Sequence, residues 1–419
     1  MSNGDTNSEE HKLFFYQGGQ RIEGVSPLDS IKKKVVELSS MRNVSFLLGA
    51  GTSSDAIPNM KRLYSEISSE IEADAELSEY AKKLYTSIAG DNIENILNVL
   101  YARKHYLQGV VPPPAPPPTP PSGTPPPPRP TPLETVSKLI DFIQNKMFSK
   151  INVDLSSEKS VETLNLYKGL YQKTALRNKD LSRINVFTTN NDLFNEKALD
   201  NLNINYNNGF GGGLDRFFNP ARFSYTFSKK IDPNLEKFEP LENMVYLYKL
   251  HGSISWIEAE GNSLFNIQEV PVVGEAEKPN EQHVLIYPTP LKQNQSLGSP
   301  YADLIREFKA KLEQPNSVIF IIGYSFSDEH INNIIYQSMA SNSSISVVIF
   351  GEYSDCPLVK INDNRVYRIY GETDGGVKIH YFNYIVNEIL QCLDENKDHT
   401  LLDEFVSAFK NHSSGGSSL

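Results

Sequence analysis

Two short polar runs in the sequence carry residue types that suit proton transfer and the binding of sugar hydroxyls. One extends from Thr188 to Asp192 and includes Asn190, and the other begins at His251. Histidine titrates near neutral pH and often serves as a general base, while amide and carboxylate groups are suited to holding ribose hydroxyls, a carboxamide and a water. The ordinary alternatives are a helix cap formed by Asp192 or Asn191 and a structural role for the histidine.

A glycine-containing loop, Gly49 to Ser53, directly follows an apolar stretch. Its two glycines permit a tight turn and a close approach of the backbone, so the N–H groups that follow are suited to cradling a pyrophosphate. The loop is not a dehydrogenase fingerprint, because Ser54 takes the place of the third glycine, and it is not a P-loop, because no Gly-Lys-Ser/Thr follows. Taken by itself, a plain strand-to-helix turn is an equally good interpretation.

A fourth run begins at Gly323 and includes Ser325. Both residues are suited to contacting a phosphate or a ribose, and Ser327 or Asp328 is predicted to cap the helix that follows. Asp328 and the next two residues, an acid and a histidine, diverge from one another on a helix, so no metal site is predicted there.

These four runs each follow a short apolar segment that reads as a strand. Strands alternating with helical patterns predict an α/β fold with a doubly wound, Rossmann-like parallel sheet, and ligands bind outside the carboxyl ends of such strands. Trp256 is interpreted as core or pocket wall, and the glycine-rich run Asn207 to Gly213 as a mobile lid or a plain flexible loop. The predicted strands are Asn43 to Leu48, Ile184 to Phe187, Val245 to Leu250, Val284 to Tyr287, Val318 to Ile322 and Ile345 to Phe350.

One main domain with a helical insertion accounts for the order of these patterns. Fourteen of the 26 prolines lie between Pro112 and Pro132, a density that favours extended polyproline II over packed core. The predicted segments are an N-terminal segment 1–25, a main domain 26–395, a helical insertion about 60–180 that contains a disordered proline-rich loop 111–132, and a C-terminal helix with a Gly/Ser tail 396–419.

Composition limits the classes of function that remain. The chain of 419 residues has a formal charge of −11, which provides no broad basic surface, so direct nucleic-acid binding is not expected. Its two cysteines, Cys356 and Cys392, are too few and too far apart for a cysteine zinc module or a disulfide scaffold. No signal peptide and no apolar run of about 18 residues that would span a membrane is recognisable, and a cytoplasmic location is expected.

Together, in this order, the four loops resemble the NAD-binding core of the sirtuin family. The motifs are G-A-G-T-S at 49–53 with I-P at 57–58, T-T-N-N-D at 188–192, H-G at 251–252 and G-Y-S at 323–325. The resemblance implies a sirtuin-type fold and NAD+ as the substrate, with no metal. It assigns the phosphates and ribose to Ala50, Gly51 and Ser53 with Thr52 in the same loop, the nicotinamide carboxamide to Ile57 and Asp192, the nicotinamide ribose and a water to Asn190, the general base to His251, and the adenosine side to Gly323 and Ser325.

Three departures from the family's deacetylases point to a different reaction. The four-cysteine zinc module is missing, Asn59, Met60 and Lys61 replace the usual acidic, aromatic and arginine residues, and Thr189 replaces a glutamine. The helical block and the extended K-L-H-G-S-x-x-W and G-Y-S-F-S-D-E-H-I runs are similar instead to the sirtuin-like effectors of bacterial anti-phage defence. That resemblance implies an NAD+ glycohydrolase that forms nicotinamide and ADP-ribose and acts as a homo-oligomer. It also implies gating by oligomerisation or by a partner, with a HerA-type hexameric ATPase as the expected partner.

Two alternatives stay open at the level of sequence. The first keeps NAD+ as substrate but changes the acceptor, which would make the protein an NAD-dependent protein deacylase or an ADP-ribosyltransferase. The second is a catalytically silent module that binds NAD+ or ADP-ribose and assembles with a partner. The presence of both Asn190 and His251 favours catalysis over the silent module.

Overall fold

The computed structural model of the protein describes residues 13–23, 26–88, 90, 92–109, 131–178, 180–232, 234–258, 265–272, 283–285 and 300–390. The predicted proline-rich loop 111–132 lies almost entirely outside these residues. The predicted C-terminal helix and tail, 396–419, lie wholly outside them, as does the end of the predicted strand at Tyr287.

The described strands and helices alternate along much of the chain. The strands are β1 (Leu13–Gln17), β2 (Gln20–Arg21), β3 (Asn43–Leu48), β4 (Ile184–Thr188), β5 (Asn205–Asn207), β6 (Phe210–Gly211), β7 (Arg216–Phe218), β8 (Ser228–Asp232), β9 (Lys237–Pro240), β10 (Met244–Lys249), β11 (Gly252–Glu258), β12 (Ile267–Glu269), β13 (His283–Leu285), β14 (Ser317–Ile322), β15 (Ile345–Phe350) and β16 (Val366–Gly371). The helices are α1 (Pro27–Ser39), α2 (Met60–Ala73), α3 (Glu79–Ser87), α4 (Ile93–Gly109), α5 (Pro132–Ile151), α6 (Glu158–Thr174), α7 (Phe194–Asn201), α8 (Tyr301–Leu312), α9 (Glu329–Ser341), α10 (Pro357–Lys360) and α11 (Phe382–Tyr384).

The largest sheet of the described residues has the strand order β2-β1-β16-β15-β14-β3-β4-β10-β5. All seven strands from β16 to β5 are parallel, and β1 extends the sheet by pairing antiparallel to β16. From β3 the sheet continues in one direction through β4, β10 and β5 and in the other direction through β14, β15 and β16. This arrangement confirms the predicted doubly wound α/β class and places the ligand-binding edge at the carboxyl ends of β3 and its neighbours.

Both faces of this sheet are covered, which explains why its central strands are continuously apolar. Every residue of β3 and β14 is buried, and Phe46 stacks on Phe320 with ring centroids 5.3 Å apart. On one face the core is completed by α1, α6, α7 and residues 379–390. On the other face it is completed by α8 and α9. The strands are therefore held as a rigid base for the loops that leave them.

Helices α2 to α5 form a separate small core of their own. Leu63, Ile67, Leu97 and Ile140 are among its fully buried side chains. The insertion predicted at about 60–180 is helical in its described part, but α6 packs on the central sheet, where Tyr167 and its neighbours belong to the main core. We call α2–α5 the helical module; the domain boundaries stay predictions.

A second sheet, antiparallel and five-stranded, has the order β13-β11-β12-β7-β6. Trp256 is buried within it and lies 5.0 Å from Phe210 between ring centroids, so the tryptophan is a core residue. The interpretation of Asn207 to Gly213 as a lid or flexible loop is wrong over most of its length, because Asn207 and Phe210 are buried in strands β5 and β6. None of the helices in the described part of the chain is long and apolar enough to cross a membrane.

Candidate functional site

The four polar runs follow four neighbouring strands, in the spatial order β14-β3-β4-β10. The strands also end level with one another: Leu48 pairs with Ile322 on one side and with Thr188 on the other, and Thr188 pairs with Lys249. Because parallel strands in register deliver their loops to one edge, the four motifs meet although they are spread over nearly 280 residues of sequence. The sequence prediction that these loops form one site is consistent with this arrangement.

Gly49 and Gly51, in the loop after β3, leave no room for a side chain because the loop after β14 packs directly against them. A Cβ atom on Gly49 would lie 2.5 Å from the Gly323 carbonyl oxygen, and one on Gly51 would lie 2.7 Å from the Gly323 Cα atom. The Gly51 N–H donates to that same carbonyl over 2.9 Å, and the Thr52 and Ser53 N–H groups donate to carbonyls within the loop. These three N–H groups already donate to backbone carbonyls. This argues against the prediction that they bind a pyrophosphate.

Asn190 is held by its amide nitrogen in a buried network of hydroxyl groups. Its Nδ2 donates to the Gly49 carbonyl over 3.1 Å and to Thr52 Oγ1 over 3.1 Å, while Tyr167 OH contacts both Thr52 Oγ1 and Ser53 Oγ. A backbone carbonyl only accepts, so the Gly49 contact fixes which way the amide is turned. The Oδ1 atom of Asn190 is therefore the amide atom left to accept a hydrogen bond from a ligand.

Asp192 lies beside this network. Its Oδ2 accepts from Ser53 Oγ over 2.9 Å, and its Oδ1 accepts from the Phe194 N–H over 3.0 Å. The helix begins at Phe194 and its N-cap residue is Leu193. The prediction that Asp192 or Asn191 is the N-cap is therefore wrong by one or two residues. Burial raises the pKa of the Asp192 carboxyl, and the positive charge of Lys249 opposes that rise.

Lys249 is a fully buried cation beneath the site, with a relative exposure of 1%. Its Nζ lies 2.9 Å from Glu196 Oε1 and donates to Ser253 Oγ over 2.9 Å and to the backbone carbonyl of Asp192. Burial raises the pKa of Glu196, and the ion pair with Lys249 counteracts the shift. The ammonium group thus ties the loop after β4 to the loop after β10.

His251 is held from two sides. Its backbone carbonyl accepts from Asn191 Nδ2 over 2.7 Å, and its Nε2 lies 3.0 Å from Asp328 Oδ2. Asp328 is also the N-cap of α9, as predicted, accepting from the His330 and Ile331 N–H groups.

A cleft with a volume of about 210 Å³ joins these residues, and we call it the strand-end cleft. Its volume is below the roughly 300–1,000 Å³ usual for ligand pockets, so it matches part of a dinucleotide. One wall comes from α2 and α5 of the helical module and is apolar except for Lys150. The predicted site residues that line it are Ala50, Ser53, Ile57, Asn190, Asp192, His251 and Ser325, and the wall from the module is formed by Met60, Leu63, Met147, Lys150 and Ile151.

Three predicted residues lie in the loops but do not line the cleft. Gly51 and Gly323 pack against each other, and the Thr52 hydroxyl is turned toward Tyr167. Sequence reasoning missed Tyr167 and Lys249 as site residues and treated Asp328 only as a helix cap. Lys249 directly precedes the Leu-His-Gly run, which is a usable signal, whereas nothing near Tyr167 in the sequence connects it to the other motifs.

No metal site accompanies this cleft in the described ranges, where no group of three or more His, Cys, Asp or Glu side chains is arranged to hold an ion.

Comparisons with known proteins find similarity to SIR2-type proteins. Residues 184–371 match a family model described as SIR2-like domain, a range that contains Asn190, Asp192, His251 and Ser325. No curated protein matches the chain. Solved structures that are similar to it include one described as "Structural Basis for the Mechanism and Regulation of Sir2 Enzymes", with 10% identity, a TM-score of 0.38, and coverage of 88% of this chain and 98% of the other.

A second solved structure is a variant of a Sir2 homologue in complex with 2′-O-acetyl ADP ribose, with 12% identity, a TM-score of 0.38, and coverage of 87% of this chain and 98% of the other. Residues 184–371 are therefore similar to a SIR2-like domain. The predicted sirtuin-type α/β fold is confirmed.

Proposed function

We propose that this protein is an NAD+ glycohydrolase, which cleaves NAD+ with water to nicotinamide and ADP-ribose. One observation carries the proposal: an amide oxygen of Asn190 and the imidazole of His251 share one cleft at the carboxyl edge of a SIR2-like sheet. An acceptor for a hydroxyl or water and a side chain of the type that exchanges protons near neutral pH are the two functions that this hydrolysis needs from the protein.

The chemistry follows from the charges that develop. When the bond between nicotinamide and ribose breaks, positive charge develops on the ribose carbon and its ring oxygen, and water then adds to that carbon. The Asn190 Oδ1 atom accepts a hydrogen bond from the ribose hydroxyl or the water, and His251 takes the proton that the water loses. The reaction balances as NAD+ and water giving nicotinamide, ADP-ribose and a proton.

The rest of the strand-end cleft suits the nicotinamide half of the substrate. Asp192 has a buried carboxyl group that already accepts from Ser53 and a backbone N–H, and Ile57 lies in the same lining. We assign the carboxamide to these two residues, while Ala50 and Ser325 line the cleft where the ribose and phosphates would continue. The mostly apolar wall from the helical module would keep bulk water away from the reacting carbon.

Substitution of the two central residues tests the proposal. His251→Ala should lower the rate of NAD+ consumption by about 100-fold or more, because positioned general-base catalysis typically contributes about 100- to 10,000-fold. Asn190→Ala should lower it by about 100-fold, because the ribose hydroxyl or the water loses the acceptor that positions it. Asn201→Ala and His330→Ala are matched controls, since both are exposed and neither lines the cleft. Unchanged consumption in the first pair would overturn the assignment of the reacting residues.

We further propose that the protein is an anti-phage effector that acts in the cytoplasm as a homo-oligomer, gated by a HerA-type hexameric ATPase. Support for this part comes from the resemblance of the sequence motifs to sirtuin-like defence effectors. Co-expression with a HerA-type hexameric ATPase, followed by size measurement in solution and an assay of NAD+ consumption, tests it. A complex that consumes NAD+ faster than the chain alone is the expected result, and the absence of any complex would exclude the ATPase as partner.

A further inference from the structure

His251 and Asp328 come from loops that do not neighbour each other in the sheet. The strand before Asp328 is β14 and the strand before His251 is β10, and β3 and β4 lie between them. Three strand spacings amount to about 14 Å, yet the two side chains meet over 3.0 Å. The pair therefore bridges the loop that carries Asn190.

Asp328 is fixed in place independently of His251. Its Oδ1 atom accepts from the His330 and Ile331 N–H groups over 3.0 and 3.3 Å, and its backbone carbonyl accepts from Tyr324 OH over 3.1 Å. The N-terminus of α9 favours a negative charge at this position. These contacts use Oδ1, and Oδ2 lies beside the imidazole.

In the described part of the chain, the imidazole of His251 is paired with the Asp328 carboxylate. An ionised carboxylate only accepts, so the hydrogen of neutral His251 is on Nε2, and Nδ1 is left with the lone pair that can take a proton. Among the residues that line the cleft, the other titratable side chains are Lys150, Asp192 and Tyr324. Lys249 lies two residues before the histidine in the sequence, and its ammonium is paired with Glu196.

We propose that Asp328 is a positioning residue for the reaction, which holds the His251 ring in one orientation and stabilises the positive charge that the ring gains when it takes the proton from water. The proton passes from water to Nδ1 while Asp328 stays ionised. This inference rests on the proposed function for its kinetic consequence, whereas the pairing itself is open to measurement without any substrate.

The variant Asp328→Asn tests it, because asparagine caps helices as well as aspartate does but lacks the charge. Glu329→Gln is the matched control, an exposed neighbour with the same change of charge. With NAD+, we expect Asp328→Asn to lower kcat by at least about 10-fold and to leave KM within about twofold, because Asp328 acts through His251. A kcat equal to that of Glu329→Gln would overturn the proposal.

The position of the hydrogen on the His251 ring is the second measurement. Nitrogen-15 chemical shifts of labelled histidines in the ligand-free protein, at a pH where the ring is neutral, distinguish the two tautomers, and His251→Ala assigns the signal among the eight histidines. The wild type should carry the hydrogen on Nε2. An asparagine that caps α9 through its oxygen turns its N–H toward Nε2, so Asp328→Asn should move the hydrogen to Nδ1.

The same tautomer in the wild type and in Asp328→Asn would overturn the proposal. The two measurements also separate its failure from that of the proposed function. If the wild type did not consume NAD+ but the tautomer changed in Asp328→Asn, the proposed function would fail while the pairing held.

Discussion

Replacing Gly51 by alanine should separate two loops of the site, and the size of the effect follows from the geometry. The new Cβ atom would lie 2.7 Å from the Gly323 Cα atom and 3.0 Å from its carbonyl oxygen. Both are backbone atoms, so no side chain can rotate away. Gly51 does not have a positive φ angle, so the cost comes from lack of space and not from backbone strain.

Overpacking of this kind costs about 1–3 kcal/mol. The 2.9 Å hydrogen bond from the Gly51 N–H to Gly323 is stretched at the same time, which adds about 1 kcal/mol. We therefore expect Gly51→Ala to lower the free energy of unfolding by about 2–4 kcal/mol. It should also weaken NAD+ binding, because Ser53 in the same loop contacts both Asn190 and Asp192.

Urea denaturation measures the first effect and isothermal titration calorimetry with NAD+ the second. Gly213→Ala is the control, since no heavy atom lies within 4 Å of the position that its new methyl group would take and its effect should stay within about 0.5 kcal/mol. If Gly51→Ala were as stable as Gly213→Ala, the two loops would not be in the close contact described, and our explanation of the glycine pair would be refuted.

Three further variants test the surroundings of the site. Tyr167→Phe removes the hydroxyl that supports the Asn190 network and should cost about 1–2 kcal/mol with a lower kcat; unchanged denaturation and kinetics would contradict this. Lys249→Met leaves Glu196 buried without its cation and should cost about 3–5 kcal/mol, part of which Glu196→Gln added to it should restore, as measured by urea denaturation. Hydrogen bonding from Lys150 lowers the pKa of Glu66, so the stabilisation from the ionised carboxyl is present above the unfolded pKa near 4.5 and is lost as the pH falls through the lower folded value. Glu66→Gln should therefore lower the free energy of unfolding by about 0.5 kcal/mol at pH 7 and by less at pH 3. Equal losses at the two pH values would contradict the direction of the pKa shift.

The sequence was informative wherever local patterns decide structure. Strand β3 begins and ends where its apolar run predicts, and Asp328 caps α9 as predicted. The prediction that four loops meet at one edge needs only strand direction, because parallel strands that end level bring their loops together.

The sequence was uninformative where distant side chains pair. Tyr167 lies more than 100 residues from Thr52, which it contacts, and no periodicity encodes that approach. The same holds for the ion pair between Lys249 and Glu196 and for the contact between His251 and Asp328, which also join residues far apart in the sequence. Strands such as β6 and β7 are two and three residues long, too short for an alternating pattern, so the second sheet was not predicted.

Analysis of the products formed from NAD+ tests the central claim most directly. The wild type, alone and with a HerA-type ATPase, and the Asn190→Ala variant would be incubated with NAD+ and the products identified by mass spectrometry. We predict nicotinamide and ADP-ribose in equal amounts from the wild type in its active assembly and almost none from Asn190→Ala. Transfer of ADP-ribose to protein, release of an acylated ADP-ribose from an acyl-peptide, or NAD+ that binds but stays intact in every assembly would contradict the claim.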